Sequence, residues 1–268
     1  MLAKDHFRAG RLTEAIAAAT DEVRAHPGDV AKRGFLCELL CFLGDLERAD
    51  RQLDATASQL EPRHTMGVSL LRHLLRAEQA RRHFFADGRV PEFLEAPSAD
   101  LRLRLEASIF LREGKPDEAA RILEKAEAER PPIAGTSDGT AFDDLRDLDD
   151  LTATFFEVLT SNGKYYWVPM ERVDSIEFHA PEFPRDLLWR RAHLVVRGGP
   201  DGEVYVAALY HGSHLHEDER IRLGRATDWP GGEAAPVRGV GQRILLVGDQ
   251  DVPILEIKTI EIRRGDSA

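Results

Sequence analysis

The sequence predicts an α+β protein whose helices and strands occupy separate parts of the chain. Before residue 131, apolar residues recur at helical spacing and a glycine-centred phrase repeats. After residue 163, short runs rich in Val, Ile, Leu and Tyr alternate with turns. Blocks of helices and strands favour α+β over alternating βαβ units. We therefore predict a helical domain at 1–131, a linker at 132–142 and an α+β domain, with strands dominant, at 143–268.

The helical half contains a degenerate repeat. Three similar phrases, GRLTEA, GDLERA and GKPDEA, begin at Gly10, Gly44 and Gly114, and each opens a helical run that a proline follows. The first two glycines lie 34 residues apart, which is the period of the tetratricopeptide repeat. Gly ends a helix because it adopts the left-handed conformation without steric cost. We predict tetratricopeptide-like helical hairpins, one long helix over 63–86 and an inserted loop over 88–100.

Such repeats often present grooves for partner helices or peptides. The alternative interpretation is that the helices only brace the second half. Residues 132–142 (PIAGTSDGTAF) have the Gly, Pro, Ser and Thr content of a linker. An acidic run follows over 143–150, and apolar residues from Leu151 to Leu159 then lie at helical spacing, which predicts a short helix. Those carboxylates could hold a divalent cation or favour the positive end of that helix.

The remaining residues predict strands that are joined by turns. Short connections favour a mostly antiparallel, curved sheet or partial barrel. The predicted strands are Lys164–Val168, Val173–Phe178, His193–Val196, Val204–Tyr210, Arg220–Leu223, Arg243–Val247 and Ile254–Ile262.

Composition narrows the functional classes. The net charge of −11 repels phosphates and anionic lipids, so we expect neither nucleic acid nor a membrane as a partner. No apolar run approaches the ~20 residues of a membrane helix, and the N-terminus lacks the apolar core of a signal peptide. Two cysteines, Cys37 and Cys41, exclude a disulfide-built scaffold and favour burial as small apolar side chains. We expect a soluble, cytoplasmic protein without a cofactor.

Two segments carry residues that suggest chemistry. His211–Asp218 (HGSHLHED) would place His214 and His216 on one strand face, and imidazoles and carboxylates bind metals. Its Gly and Ser content is equally typical of an exposed polar loop. Gly239–Arg243 (GVGQR) resembles a phosphate loop, but a strand-like run follows it instead of a helix. That order favours a tight glycine entry to a strand.

All three tryptophans and all four tyrosines lie in the second half. Aromatic side chains in strands are usually core, whereas an exposed subset would anchor a partner. We also expect ion pairs that position the strands, as a structural network or as a functional site, among Asp186, Arg185, Arg190, Arg225 and Arg243. The candidate partner-binding or motif residues are Tyr166, Trp167, Asp186, Trp189, Tyr210, Arg225, Trp229 and Arg243.

Ordered phrases span most of residues 143–262. They are DLDD (147–150), EVL (157–159), GKYYWVP (163–169), RDLLW (185–189), ALY (208–210), LGR (223–225), TDW (227–229) and GVGQR (239–243). This series resembles the ImpE family, also called TagJ or the SciE-type virulence proteins, which are accessory components of bacterial type VI secretion. One departure is His211, where the family's Tyr-Pro-Gly-Ser phrase has proline.

The resemblance implies a cytoplasmic adaptor without catalysis, with a tetratricopeptide-like N-terminal region. Family members bind the small subunit of the contractile sheath through that subunit's N-terminal helix. They are thereby linked to the AAA+ ATPase that disassembles the contracted sheath. The resemblance carries over no catalytic residue. Helical hairpins or a sheet edge could each hold such a helix. The alternative is a metal-dependent enzyme that uses the loop from His211 to His216.

Overall fold

The first half of the chain folds into antiparallel helical hairpins. The computed structural model describes residues 1–57, 62–231 and 236–263. The hairpin predictions are confirmed, because α1 pairs with α2, α3 with α4, and α6 with α7. The helices are α1 (Ala3–Arg8), α2 (Leu12–Ala25), α3 (Val30–Leu43), α4 (Leu46–Ala57), α5 (Pro62–Asp87), α6 (Ala99–Arg112), α7 (Pro116–Glu129) and α8 (Glu219–Arg222).

The repeated glycines end helices, as predicted. Gly44 follows α3 with φ of 85°, in the left-handed region, and its N–H donates to Cys41 O at 3.0 Å. Gly114 occupies the corresponding turn between α6 and α7 with φ of 69°. The small residues seven positions before the repeated glycines, including Cys37 and Ala107, are fully buried where the helices meet. The repeat therefore encodes both the turn and the close approach.

Helix α5 is the predicted long helix. Its buried positions belong to two apolar clusters, because Leu71 and Leu74 pack with α1–α4 whereas Phe84 packs with α6, α7 and Trp167. The predicted loop after it is confirmed, and Glu92 in that loop bonds to the sheet. Its N–H donates to Tyr165 O at 2.9 Å and its C=O accepts from Trp167 N–H at 3.1 Å. No described helix is long and apolar enough to cross a bilayer.

The second half is dominated by antiparallel strands. The strands are β1 (Gly135–Ser137), β2 (Thr140–Phe142), β3 (Leu145–Asp147), β4 (Phe155–Leu159), β5 (Tyr165–Pro169), β6 (Val173–Phe178), β7 (Trp189–Val196), β8 (Asp201–Ala207), β9 (Thr227–Asp228), β10 (Val240–Gly241), β11 (Ile244–Val247), β12 (Gln250–Pro253) and β13 (Thr259–Ile262).

Within the described ranges, eight strands form one sheet in the order β2-β1-β13-β6-β7-β8-β4-β5. A three-stranded sheet, β12-β11-β3, and a pair, β10-β9, complete the half. The large sheet is open, with β2 and β5 at its edges, so the predicted α+β class with a partial barrel is confirmed. The segment 132–142 contributes β1 and β2, and β1 pairs with β13 near the other end of the chain.

Two predictions of helix or strand type are wrong. Leu151–Leu159 does not form a helix; a turn leads into β4, whose five residues are all buried between β8 and β5. A strand that is buried on both faces shows no alternation, so its apolar spacing imitates a helix. The predicted strand Arg220–Leu223 is instead the end of α8 with its C-cap, Leu223. The Asp218 carboxylate caps the start of this helical turn by accepting from Arg220 N–H at 2.8 Å.

Candidate functional site

Several of the candidate residues converge where α5 meets β4. They belong to, or lie around, five charged side chains that we call the buried charge cluster. Each member is at most 6% exposed, whereas charged residues are almost never fully buried unless they are paired. The members are Glu78, Arg81, Asp147, Glu157 and Arg243.

Glu157 is the centre of the buried charge cluster. Arg81 Nε and Nη2 donate to its two carboxylate oxygens at 3.0 and 2.7 Å. Arg243 Nη2 and the Tyr165 hydroxyl also donate to this carboxylate. Burial alone would raise the pKa of Glu157, but the guanidinium groups of Arg81 and Arg243 outweigh it and lower that pKa to about 2. The carboxylate is therefore a permanent anion at neutral pH.

Asp147 lies on the other side of Arg243. It accepts from Arg243 Nη1, from the Tyr210 hydroxyl at 2.7 Å and from Asp149 N–H at 2.9 Å. Burial raises the pKa of Asp147 to about 6, although the Arg243 charge opposes the rise. Arg243 thus bridges two carboxylates, and Tyr210 is fixed by one of them.

The two buried tryptophans bond to this region through their indole N–H groups. Trp189 Nε1 donates to Glu78 at 3.1 Å, and Trp167 Nε1 donates to the Tyr165 hydroxyl at 2.7 Å. Trp167 also stacks on Phe155 with ring centroids 3.9 Å apart. Both tryptophans are 2% exposed or less, so they hold the two halves together and do not face solvent.

The other candidate residues lie outside the buried charge cluster. Asp186 accepts from Glu182 N–H and Phe183 N–H, at 2.9 and 2.8 Å, and so shapes the turn before β7. The other three are half-buried Tyr166 beside Lys164, half-buried Trp229 with its ring 5.7 Å from Tyr210, and exposed Arg225.

Arginines cap the carboxyl ends of helices in the first half. Arg225 donates to Arg8 O at 2.9 Å and to Phe7 O at 2.6 Å at the end of α1. Arg82 donates to Gly44 O at 2.6 Å after α3, and Arg112 donates to Phe84 O at 3.3 Å near the end of α5. These carbonyls lie in or just beyond the last turn of a helix, at the negative end of its dipole, so a guanidinium there is favourable.

Acidic side chains complete the contact between the halves. Glu219 accepts from Leu12 N–H and Thr13 N–H, both at 2.8 Å, at the start of α2. Arg185 Nη1 donates to Glu38 on α3. Burial raises the pKa of Glu38 to about 7, although the Arg185 charge opposes the rise. Contacts at helix ends therefore orient the hairpins on the β-rich half.

The histidine loop does not form the predicted strand face. Ser213–Leu215 is a 3₁₀ turn, and the three imidazoles contact different parts of the molecule. His211 stacks on Phe85 with centroids 4.0 Å apart. The His214 ring lies against Gly44, and His216 faces Asp228 at 3.3 Å. Among the described residues, no group of three or more His, Cys, Asp or Glu could hold a metal ion.

The comparisons with known proteins agree with this architecture along the chain. The chain is 30% identical over 267 residues to the type VI secretion system accessory component TagJ of Pseudomonas aeruginosa strain PAO1, covering 100% of this chain and 93% of that protein. The ImpE protein family model matches residues 139–261. The chain belongs to the ImpE family. The crystal structure of protein VPA1032 from Vibrio parahaemolyticus is also similar, with a TM-score of 0.91, 26% identity and 98% of both chains covered.

The acidic run of this ImpE-family chain is engaged in ion pairs and backbone contacts. Asp149, for example, accepts from Arg238 Nε at 2.8 Å and from Gly239 N–H at 3.0 Å. The pairs along the run are Asp144 with Arg130, Asp147 with Arg243, Asp149 with Arg238, and Asp150 with Arg146. The carboxylates of this run are therefore held by arginines. Of the arginines that were expected to form ion pairs, Arg243 and Arg185 pair with carboxylates. Arg190 and Arg225 instead donate to backbone carbonyls.

The glycine phrase of this ImpE-family chain enters strands, as predicted. Val240–Gly241 forms β10 and Ile244 begins β11. A side chain at Gly239 would place Cβ 2.4 Å from the Tyr210 ring, so only glycine fits there. The two cysteines are buried, as predicted.

Sequence reasoning did not single out Arg81 and Glu78. A signal was present, because both fall on the face of α5 that also carries Leu71, Leu74 and Phe84, at helical spacing. Charges on an otherwise apolar helix face indicate buried pairing. Glu157 belonged to one of the phrases that resemble the ImpE family, but nothing local distinguished its role.

Proposed function

We propose that the chain is a non-catalytic accessory component of a bacterial type VI secretion system. In this role it binds the N-terminal helix of the sheath's small subunit and thereby links the sheath to the AAA+ ATPase that disassembles it. The observation that carries the proposal is the 30% identity to TagJ over 267 residues, which includes the helical hairpins as well as the family domain.

The contacts of the polar groups support a non-catalytic role. The Ser213 hydroxyl donates to Tyr210 O at 2.6 Å and accepts from Gly241 N–H at 2.7 Å, so it braces a turn. His211 and His214 pack on Phe85 and Gly44. The carboxyl group of Glu157, whose pKa is lowered, is shielded from solvent by its hydrogen-bond partners. These groups stabilise the fold, which is what an adaptor needs.

The junction between the halves supports an adaptor that presents its helices in a fixed orientation. Arg225 and Glu219 contact the ends of α1 and α2, and Arg185 contacts Glu38 on α3. Preorganised surfaces bind with a smaller loss of conformational entropy than surfaces that must order first. Helical hairpins held this way could receive an amphipathic helix in a groove.

Calorimetric titration of the full chain with a peptide of the cognate sheath subunit's N-terminal helix tests this function. We expect saturable binding with one site per chain. Matched control peptides keep the composition but scramble the order, or carry Asp on the apolar face, and should not bind. Failure of the native peptide to bind would contradict the proposed function.

Two variants of the full chain would locate the site. Ile109 is 46% exposed on α6, and Leu215 is 75% exposed in the histidine loop. We expect Ile109→Asp to weaken binding of the sheath peptide and Leu215→Asp to leave it unchanged, because the hairpins form the proposed groove. The reverse result would place the groove on the β-rich half.

A further inference from the structure

An open cleft of about 350 Å³ lies between the end of α5, α6 and the β-rich half. Its apolar walls are Phe85, Leu111, Leu151, Pro230 and Val240. Leu151 is fully buried at the inner side, whereas Pro230 is exposed and Val240 is half-buried. A small-molecule site encloses most of its ligand, but this cleft is open on one side. The shape therefore suits a large side chain that projects from another macromolecule.

Two of the lining residues, Phe85 and His211, form an aromatic pair. The Phe85 and His211 rings stack with an interplanar angle of 6°. The Arg81 and Arg238 guanidinium groups each lie 5.9 Å from the Phe85 ring centroid, one from the buried charge cluster and one from the cleft wall. Because the Phe85 ring is held by His211 and by two guanidinium groups, an entering side chain would meet a rigid surface.

The charges of the cleft are positive. Arg112 and Arg238 line it, and among its described lining residues there is no carboxylate, although the whole chain has a net charge of −11. Arg238 forms an ion pair with Asp149, which is not one of the residues that line the cleft. Arg112 donates to two neutral acceptors, Phe84 O and the Ser108 hydroxyl at 3.1 Å, so these contacts leave its charge unneutralised. An anionic group at the mouth of the cleft would match it.

We propose that this cleft binds a segment of a protein partner in which a large apolar side chain is flanked by aspartate or glutamate. The apolar side chain enters between Phe85 and Val240, and a carboxylate reaches the Arg112 guanidinium. This contact is additional to capture of the sheath helix and does not depend on it. A buried apolar anchor beside a charge-assisted hydrogen bond is the arrangement that concentrates binding energy in a protein interface.

The test uses the full chain labelled with ¹⁵N and the blocked peptide N-acetyl-Glu-Trp-Glu-amide. We expect saturable shifts of the amide signals of Leu111, Arg112 and Val240. The peptide with Gln in place of both Glu residues should bind at least about fivefold more weakly. Shifts that do not saturate, or equal binding of the neutral peptide, would overturn the proposal. So would 3-phenylpropionate binding more tightly than the peptide, because the cleft would then be a small-molecule site.

Variants separate the charge from the fold. Arg112→Gln should weaken binding by the same factor as the Gln peptide, and Arg112→Lys should retain most of the affinity. Leu111→Asp, which places an anion in the apolar wall, should abolish binding and serves as the second variant. Arg24→Gln is the matched control, because Arg24 is a 77% exposed arginine on α2, and it should bind like the parent chain. Unchanged binding by both Arg112→Gln and Leu111→Asp would refute the site.

Discussion

Arg81 on α5 donates two hydrogen bonds to the Glu157 carboxylate on β4, across the junction between the helical and β-rich halves. Both side chains are at most 5% exposed. Taking such charges out of water is costly, and it is offset only when geometry and further hydrogen bonds are good. Arg243 and Tyr165 supply those further bonds. The pair therefore specifies where α5 docks on the sheet.

Replacing Glu157 with Gln should destabilise the fold strongly. It would leave the Arg81 and Arg243 guanidinium groups buried without their shared anion, which costs about 3–5 kcal/mol. Urea denaturation, followed by circular dichroism, measures the free energy of unfolding. The matched control is Glu95→Gln, because Glu95 is 63% exposed and pairs with Arg172, and it should cost less than about 1 kcal/mol. Equal losses in the two variants would contradict the importance of burial.

His211 should make stability depend on pH. Burial, together with the Arg81 charge, lowers the pKa of His211 to about 3, whereas an unfolded histidine titrates near 6.5. Between these values the unfolded chain binds more protons. The contribution of His211 is therefore complete above pH 6.5 and is lost as the pH falls, by at most about 1.4 kcal/mol per pH unit.

The variant His211→Phe keeps a ring against Phe85 but cannot titrate. Denaturation of the parent chain and this variant from pH 4 to pH 8 isolates the effect, because other groups titrate in both. We expect the difference in unfolding free energy to be constant above pH 7 and to favour the variant increasingly below pH 6.5. Parallel curves over the whole range would show that the imidazole is not shielded.

Gly44 should tolerate a side chain less well than Gly114, although both lie in equivalent turns. Both have positive φ, 85° and 69°, so alanine costs about 1–2 kcal/mol at either position. At Gly44 the new Cβ would also lie 2.3 Å from His214 Cδ2, whereas nothing lies within 4 Å at Gly114. Overpacking adds about 1–3 kcal/mol. The measurement is thermal and urea unfolding of Gly44→Ala, Gly114→Ala and the double variant Gly44→Ala/His214→Ala. We expect the double variant to regain part of the stability that Gly44→Ala loses. Absence of this rescue would exclude the steric explanation.

Removing the Glu219 carboxylate should loosen α2. This side chain caps two N–H groups at the start of α2, and loss of such a cap costs about 1 kcal/mol. In Glu219→Ala we expect faster hydrogen exchange in the first turn of α2, with β4 and β7 unaffected. The exposed neighbour variant Glu217→Ala should exchange like the parent chain. Uniform acceleration across both halves would indicate global destabilisation instead.

The helical half could be predicted closely because its signals are local. A left-handed glycine, helical periodicity and a following proline all act within a few residues, and the structure shows turns at Gly44 and Gly114. The β-rich half could be predicted less closely. β4 was mistaken for a helix because all its residues are buried. That burial depends on its two neighbours in the sheet, β5, which is the next strand, and β8, which lies much farther along the chain.

The candidate site could also be predicted only in part. Trp167, Trp189, Tyr210 and Arg243 were selected as candidates, but their sequence spacing did not show that they converge around one carboxylate. Arg81 is 76 residues from Glu157 along the chain, so no local pattern connects them. The resemblance to the ImpE family, in contrast, could be recognised from the sequence. It depends on which residues the short phrases contain and on their order, and neither requires knowledge of the contacts.

The sequence by itself determined the α+β class, the helical hairpins, the acidic character and membership of the ImpE family. Each of these depends on composition, on local backbone preference or on the order of short phrases. Only the tertiary structure decided that Glu157 lies between Arg81 and Arg243, that arginines cap the ends of α1, α3 and α5, and that an arginine-lined cleft opens beside Phe85. Those features require residues far apart in the chain to share a low-dielectric space, and the packed fold alone creates that space.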